Sequence, residues 1–173
     1  MSSPAGMPRP PAAGAATTAM ATVSRVEFLA DRLYEAWSAG DGAARVRLLA
    51  GCCAPWVRYA NPLGESAGVA GLAELIGHCL APYPGHRPVR TSAIDLHHGC
   101  ARWEWALRDR IGQVVLAGLD VVGLTDARPT GDSPTGDGVP APTPDGPLLA
   151  TVSTFFGAPP PRVRTYVFGA MSG

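Results

Sequence analysis

The first clear periodicity in the chain runs from Ser24 to Gly40. Val26, Leu29, Ala30, Leu33 and Trp37 recur at helical spacing, which puts them on one face of an amphipathic helix. Ser24 followed by Glu27 forms a capping box, so the helix is expected to begin there, and Gly40 supplies its stop. Asp41 is placed to cap a second short helix, with Val46, Leu49 and Ala50 as its apolar face and Gly51 at its end. Pro55–Ala60, with Trp56, Val57 and Tyr59, reads as a short strand. Asn61-Pro62-Leu63-Gly64 reads as the turn behind it, because Asn and Pro both favour turns and Gly closes one. Val69–Leu80 is a third helix, with Leu72, Ile76 and Leu80 on one side, and Pro82-Tyr83-Pro84-Gly85 breaks it.

Beyond Gly85 the period changes to that of strands. Val89–His97, Ala101–Arg108, Gln113–Leu124 and Leu148–Phe156 are rich in β-branched and aromatic residues. His98-Gly99-Cys100 and Arg110-Ile111-Gly112 connect the first three. The expected architecture is α+β: three N-terminal helices packed on one side of a strongly curved antiparallel sheet. Such a bent sheet encloses a cone-shaped cavity suited to a small apolar ligand.

Composition sharpens the domain limits. Gly (21) and Pro (18) are abundant in the 173 residues, but 13 of the prolines lie in 1–23, 127–147 and 157–173. A single domain is therefore expected over 24–156, with loose tails at 1–23 and 157–173. The segment 127–147, which repeats Pro-Thr-Gly-Asp at 129–132 and 134–137, reads as a flexible insertion. Charge is balanced, with 14 basic and 14 acidic residues, which argues against a nucleic-acid partner. Every basic residue is Arg, so Schiff-base chemistry through lysine is excluded. The N-terminus has no apolar core of the kind a signal peptide needs, and the longest apolar run, Val114–Leu124, is interrupted by Asp120. A cytoplasmic protein without membrane contact is expected. Cys52, Cys53, Cys79 and Cys100 lack CxxC spacing and read as reduced thiols. His97 and His98 point to opposite faces of a strand, and His78 and His86 lie elsewhere, so no metal or other cofactor is expected.

Asp120 stands out among the polar residues. It lies within Leu-Ala-Gly-Leu-Asp-Val-Val and shares a strand face with Val114, Leu116, Gly118 and Val122. If that face lines the cavity, desolvation raises the pKa of Asp120 and fits it for general acid/base catalysis. If it does not, Asp120 is an ion-paired or rim carboxylate. Arg102 and Glu104 share the other recurring polar face, either as a catalytic pair or as a solvated pair opposite Trp103, Trp105 and Leu107. His98, in step with Ile94 and Leu96, is the inward candidate of the two adjacent histidines, either as an acid/base group or as a histidine stacked near Trp103.

The segments VEFLADRLYEAWSAGD, RYANPLGESAGVAGLAELI, IDLHHGCARWEWAL, GQVVLAGLDVV and LLATVSTFF, in that order, resemble the SnoaL-like branch of the nuclear transport factor-like superfamily. The resemblance covers nearly all of 24–156. It implies the cone fold and a range of activities that includes polyketide cyclisation, ketosteroid-type isomerisation, dehydration and epoxide hydrolysis, often within secondary metabolism. Arg102-x-Glu104 is similar to the Arg-x-Asp of the epoxide hydrolases, and Tyr59-x-Asn61 to their water-positioning Tyr-x-Asn. The second carboxylate of those enzymes, like the acid/base aspartate of the cyclases, belongs on the last strand, where this chain has Ser153 and Thr154.

The resemblance thus implies a cofactor-independent enzyme acting on an apolar metabolite. Asp120, His98, Arg102 and Glu104 are the candidate catalytic residues. Tyr59, Asn61, Trp37, Trp56, Trp103 and Phe155 are the candidate binding residues. The alternative is a non-catalytic ligand-binding or dimerisation module, since the other face of the Gln113–Leu124 strand (Val115, Ala117, Leu119, Val121) is apolar enough for a homodimer through the sheet. The position of Asp120 discriminates: inside the cavity near a second titratable group it supports the enzyme, and in an outer salt bridge it supports the module.

Overall fold

The computed structural model describes residues 13–126 and 146–157. The helices are α1 (Ala13–Ser38), α2 (Gly42–Ala50) and α3 (Gly68–Leu80). The strands are β1 (Cys53–Asn61), β2 (Gly64–Ala67), β3 (Arg87–Arg90), β4 (Asp95–His97), β5 (Cys100–Arg108), β6 (Val114–Asp126) and β7 (Pro147–Phe156). They form one sheet in the order β2-β1-β7-β6-β5-β3, with β4 also paired to β5. Pairing is antiparallel except between β1 and β7, which run parallel. The α+β class and the helices-on-sheet arrangement are as the sequence implies.

Three local features differ from the sequence expectation. Helix α1 starts at Ala13, not at Ser24. The alanine-rich stretch ahead of Ser24 favours helix, so Ser24 lies inside the helix and caps nothing. The N-terminal tail predicted over 1–23 is therefore helical from Ala13 on. The chain after the Asn61 turn forms β2, a short strand ahead of α3 where the sequence pattern assigns no element. The turn itself is built as expected, with Asn61 Oδ1 accepting from the backbone N–H of Leu63 at 2.8 Å and of Gly64 at 3.0 Å.

Val89–His97 is not one strand but two. Ser92 Oγ accepts the backbone N–H of Glu104 at 2.8 Å. A side chain thereby replaces a carbonyl in the ladder, and the strand breaks between β3 and β4. The β4–β5 turn then uses His98 at φ 48° and Gly99 at φ 73°. Two successive positive φ values are the mark of a tight primed hairpin. Of the predicted loose segments, 127–145 of the insertion and 158–173 of the C-terminal tail lie outside the described residues, as do residues 1–12.

Asp41 caps α2 as predicted, its side chain accepting from Ala44 N at 2.8 Å. The core lies between the helices and the concave sheet face. Leu29 and Leu33 of α1 and Leu72 and Ile76 of α3 meet Val57, Trp103, Val122, Leu149 and Val152 of the sheet, all buried. Register shifts interrupt β5–β6 between Leu107 and Arg108 and β6–β7 between Gly123 and Leu124. Irregularities of this kind bend a strand and strengthen its twist.

Gly118 sits where β6 must pass close to both neighbours. A Cβ there would run into the Phe155 carbonyl oxygen and meet Trp105 Cε2 at 2.7 Å. Replacing Gly118 by Val is expected to destabilise the domain by roughly 1–3 kcal/mol through overpacking. Urea unfolding measures this, and an unchanged midpoint would show that the contact is not tight. Among the described residues, no helix is long and apolar enough to cross a membrane.

Candidate active site

Three elements of the sheet and one helix converge on Asp120. β6 presents Leu116, Gly118, Asp120 and Val122 to the concave side, and Asp120 is 2% exposed. β7 runs beside it in register, with Thr154 directly opposite Asp120. On the other flank, Trp103 of β5 is the partner of Asp120 in the ladder. Helix α1 crosses above and delivers Tyr34.

The hydrogen bonds all run toward the carboxylate. Tyr34 donates its hydroxyl to Asp120 Oδ2 at 2.8 Å. Thr154 donates to Asp120 Oδ1 at 2.6 Å. Tyr59 of β1 in turn donates to Thr154 Oγ1 at 2.9 Å. Trp103 Nε1–H donates to the Tyr34 oxygen at 2.6 Å. Each of these side chains is buried, and a hydroxyl donates to each of the two carboxylate oxygens.

Asp120 lines a cavity of about 300 Å³. Trp37, Leu107, Leu116 and Phe156 contribute its apolar wall, and Tyr34, Tyr59 and Thr154 its polar end. Asn61 and Cys79 form a second polar spot, with Asn61 Nδ2 lying 3.8 Å from Cys79 Sγ. Among the described residues, Asp120 is the only carboxylate on this wall.

Burial raises the Asp120 pKa from 3.8 to about 6, against the opposing pull of the Thr154 and Tyr34 hydrogen bonds. Burial likewise pushes the Tyr34 and Tyr59 hydroxyls well above the ordinary tyrosine value, and the nearby Asp120 charge adds to this. The two phenols therefore stay protonated and act as donors. Cys79 is raised by burial as well.

The Asp120 shift has a consequence for stability with a definite sign. In the unfolded chain this carboxyl ionises near 3.8, and in the fold near 6. Below the first value both states are neutral and the contribution to stability is fully present. It is lost as pH rises through about 6, because the fold must then bury a charge. The rise corresponds to roughly 3 kcal/mol. The stability of the wild type relative to Asp120→Asn is expected to fall by about that amount between about pH 4 and about pH 8. Denaturant unfolding at several pH values checks it, and a difference that stays flat contradicts the shift.

The sequence-predicted residues divide sharply. Asp120, Tyr59, Asn61 and Trp37 line the cavity as expected. Trp103 is 1% exposed and sits behind the site, holding Tyr34 rather than facing a ligand. Trp56 is 63% exposed and Phe155 52%. The expectation that these two wall the cavity is thus corrected, because each falls on the outward parity of its strand. Phe156 and Trp105 take their place.

Three of the four predicted catalytic residues lie outside the cavity. Arg102 is exposed and donates to Asp95 Oδ2 at 2.9 Å across the β4–β5 pair. Glu104 is exposed on the same outer face. Strand alternation explains both: with Trp103, Trp105 and Leu107 inward, 102 and 104 must face out. His98 is exposed in the β4–β5 turn, because β4 ends at His97 and the positive φ of His98 takes it off the strand alternation.

Tyr34 is the candidate site residue absent from the sequence expectation. Its signal was available, since it falls between Ala30 and Trp37 at helical spacing on the buried face of α1. Among the described residues, no group of three or more His, Cys, Asp or Glu side chains could hold a metal ion. All four cysteines are free.

No family model matches the sequence, and neither does any curated protein. Solved structures do match. A candidate isomerase of the SnoaL-like family from Agrobacterium tumefaciens C58 is 25% identical and superposes with a TM-score of 0.61 over 78% of this chain and 99% of that one. A cystatin-like fold protein of unknown function from Nostoc punctiforme PCC 73102 is 11% identical, with a TM-score of 0.56 over 80% of this chain and 92% of that one. A candidate SnoaL-like polyketide cyclase from Jannaschia sp. CCS1 is 13% identical, with a TM-score of 0.52 over 87% of this chain and 91% of that one. The chain has the SnoaL-like, nuclear transport factor-like fold.

Proposed function

We propose that the protein is a cofactor-independent enzyme that moves a proton on an uncharged, mostly apolar metabolite, with Asp120 as its acid/base group. The observation that carries this reading is the carboxyl itself: it is buried, held by neutral hydroxyls with no cationic side chain beside it among the described residues, and set on the wall of an apolar cavity. A carboxyl with a pKa near 6 is a stronger base than an exposed one and is still partly protonated near neutrality. It can take a proton in one step and return it in the next.

The solitary carboxylate favours some reactions over others. Epoxide hydrolysis of the type the sequence resembles needs two carboxylates bridged by an arginine. Here Arg102 and Glu104 face solvent, and Thr154 stands on the last strand. A proton shift, as in isomerisation, needs only one carboxyl to remove and redeliver the proton. Aldol-type cyclisation and dehydration of a carbonyl compound begin with the same abstraction. The likeness to a SnoaL-like candidate isomerase supports this class. A role in secondary metabolism and a cytoplasmic location belong to the same proposal.

Tyr34 is the second titratable group beside Asp120, and this juxtaposition favours an enzyme over a purely structural module. Homodimerisation through the outer sheet face remains compatible with it. Val115 and Phe155 are 47% and 52% exposed there.

The test uses 2-decalone, an uncharged bicyclic ketone with acidic hydrogens beside its carbonyl. Protein in deuterated buffer is expected to accelerate exchange of those hydrogens, followed by NMR, and the rate is expected to rise with pH through about 6. Exchange no faster than in buffer alone, for this ketone and for ring-enlarged and ring-opened analogues, contradicts the reading.

A further inference from the structure

We propose that the Thr154–Tyr59 arm of the network offers a hydroxyl hydrogen to the ligand whenever Asp120 is neutral, so that the ligand is a molecule carrying an oxygen acceptor and Tyr59 is the residue that binds that oxygen. The inference deepens the acid/base reading and rests on it for the identity of the cavity as a ligand site.

The argument is a count of hydrogens. Four polar hydrogens enter the network: one each from Trp103, Tyr34, Tyr59 and Thr154. Four acceptor positions receive them: the Tyr34 oxygen, Thr154 Oγ1 and the two carboxylate oxygens. The set is closed when Asp120 is ionised, because a carboxylate only accepts. Protonation adds a fifth hydrogen and turns Asp120 Oδ1 into a donor, so that even with the Tyr59 oxygen accepting within the set one hydroxyl hydrogen is left over. A buried donor left unpaired is costly, so the extra hydrogen must find a partner beyond the network.

Geometry selects the exit. The groups that face Asp120 are Tyr34 from α1, Trp103 and Trp105 from β5, and Thr154 from β7, with Tyr59 of β1 behind Thr154 and Asn61 and Cys79 beside the Tyr59 hydroxyl. The Tyr34 oxygen is already held by the Trp103 N–H at 2.6 Å, which fixes its hydroxyl toward Asp120. Trp105 Nε1 is a buried donor without a hydrogen-bond partner and cannot accept. The other arm can turn over. A proton on Oδ1 donates to Thr154 Oγ1, the Thr154 hydroxyl rotates to donate to Tyr59, and the Tyr59 hydroxyl rotates toward the cavity that it lines. Only the carboxyl gains a proton, and every hydroxyl keeps its own.

The same count applies during turnover. When Asp120 removes a proton from carbon, the C–H electron pair flows to the carbonyl and charge develops on its oxygen. At that moment Asp120 is neutral, and the arm has a hydrogen to give. Tyr59 would therefore stabilise the developing oxyanion only after the proton has been taken.

Two shape-matched probes test this: 2-decalone, which has one oxygen acceptor, and decalin, which has none. Binding is followed by quenching of tryptophan fluorescence, since Trp37 and Trp105 line the cavity. The ketone is expected to bind about tenfold more tightly at pH 5 than at pH 8, the size of one neutral hydrogen bond, while decalin binds equally at both. Tyr59→Phe is expected to abolish the pH preference for the ketone and to leave decalin binding intact, which also shows that the variant is folded. Thr154→Ser keeps the relay hydroxyl and is expected to keep the preference.

Equal ketone affinity at the two pH values in the wild type overturns the proposal, as does a preference that survives in Tyr59→Phe. These outcomes are separate from the fate of the acid/base reading. Absent exchange chemistry with pH-dependent ketone binding would sink catalysis alone. Exchange chemistry with pH-independent binding would sink the relay alone.

Discussion

Replacing Asp120 by Asn lowers the rate of 2-decalone exchange by roughly 10²–10⁴-fold, the range expected when a general acid/base is removed. The substitution keeps the size and planarity of the side chain. Tyr34 or Thr154 can still donate to the amide oxygen, and the remaining hydroxyl can accept from the amide nitrogen. Packing around the site, between Trp103 and Val122, need not change. The loss should thus fall on turnover. The pH profile is the sharper signature. Wild-type exchange should climb through about 6 and then level, as the carboxylate form fills. The variant should show no such step. A variant that retained both rate and step would place the chemistry elsewhere in the cavity.

The second large effect concerns the scaffold behind the site. Trp103 is 1% exposed, at the centre of the core cluster, and its indole N–H is the donor to Tyr34. Trp103→Ala is expected to destabilise the domain by roughly 3–5 kcal/mol, from lost burial and the cavity left behind. A domain of this size has a total stability of about 5–15 kcal/mol, so the variant should be close to unfolding. Trp103→Phe separates the two contributions. It keeps most of the apolar volume but leaves the Tyr34 oxygen without its donor, at a cost of roughly 1–3 kcal/mol. That loss should shrink when Tyr34 is already Phe, since the unpaired oxygen is then absent. Urea unfolding of the four proteins in the Phe cycle measures the coupling. Additive losses would mean that the Trp103–Tyr34 bond carries no weight.

The residues behind these two effects show what a sequence can reveal. Asp120 was legible because a charge in the middle of an apolar strand needs a reason, and its strand parity with Leu116 and Val122 was regular. Arg102 and Glu104 could not be placed, because alternation gives two faces without saying which is inner. Burial of Trp103, Trp105 and Leu107 decides it.

His98 failed for a different reason. Alternation from Leu96 carries it inward only on a continuing strand, whereas β4 ends at His97 and His98 turns the chain at φ 48°. Residue type alone points to Trp56 and Phe155 as aromatic cavity walls, whereas parity sends them outward and brings Phe156 inward. Tyr34 is 86 residues from its partner Asp120, and no local pattern announces such a contact. Helical spacing shows that Tyr34 is buried; only the fold shows what its hydroxyl meets.

The same distinction applies to the last strand. Thr154 looked like a missing carboxylate when compared with related enzymes. In the structure it is the hydroxyl that binds Asp120 and connects it to Tyr59. The chain thus places its carboxyl on β6 and a relay hydroxyl on β7, directly across the ladder.

The most direct test is a titration of the Asp120 carboxyl in protein labelled with ¹³C at aspartate side chains, assigned by its absence in Asp120→Asn. The account predicts a single transition with its midpoint at about 6. A midpoint near 3.8, the value of an ordinary aspartate, would contradict it, because the carboxyl would then be neither desolvated nor suited to moving a proton near neutral pH.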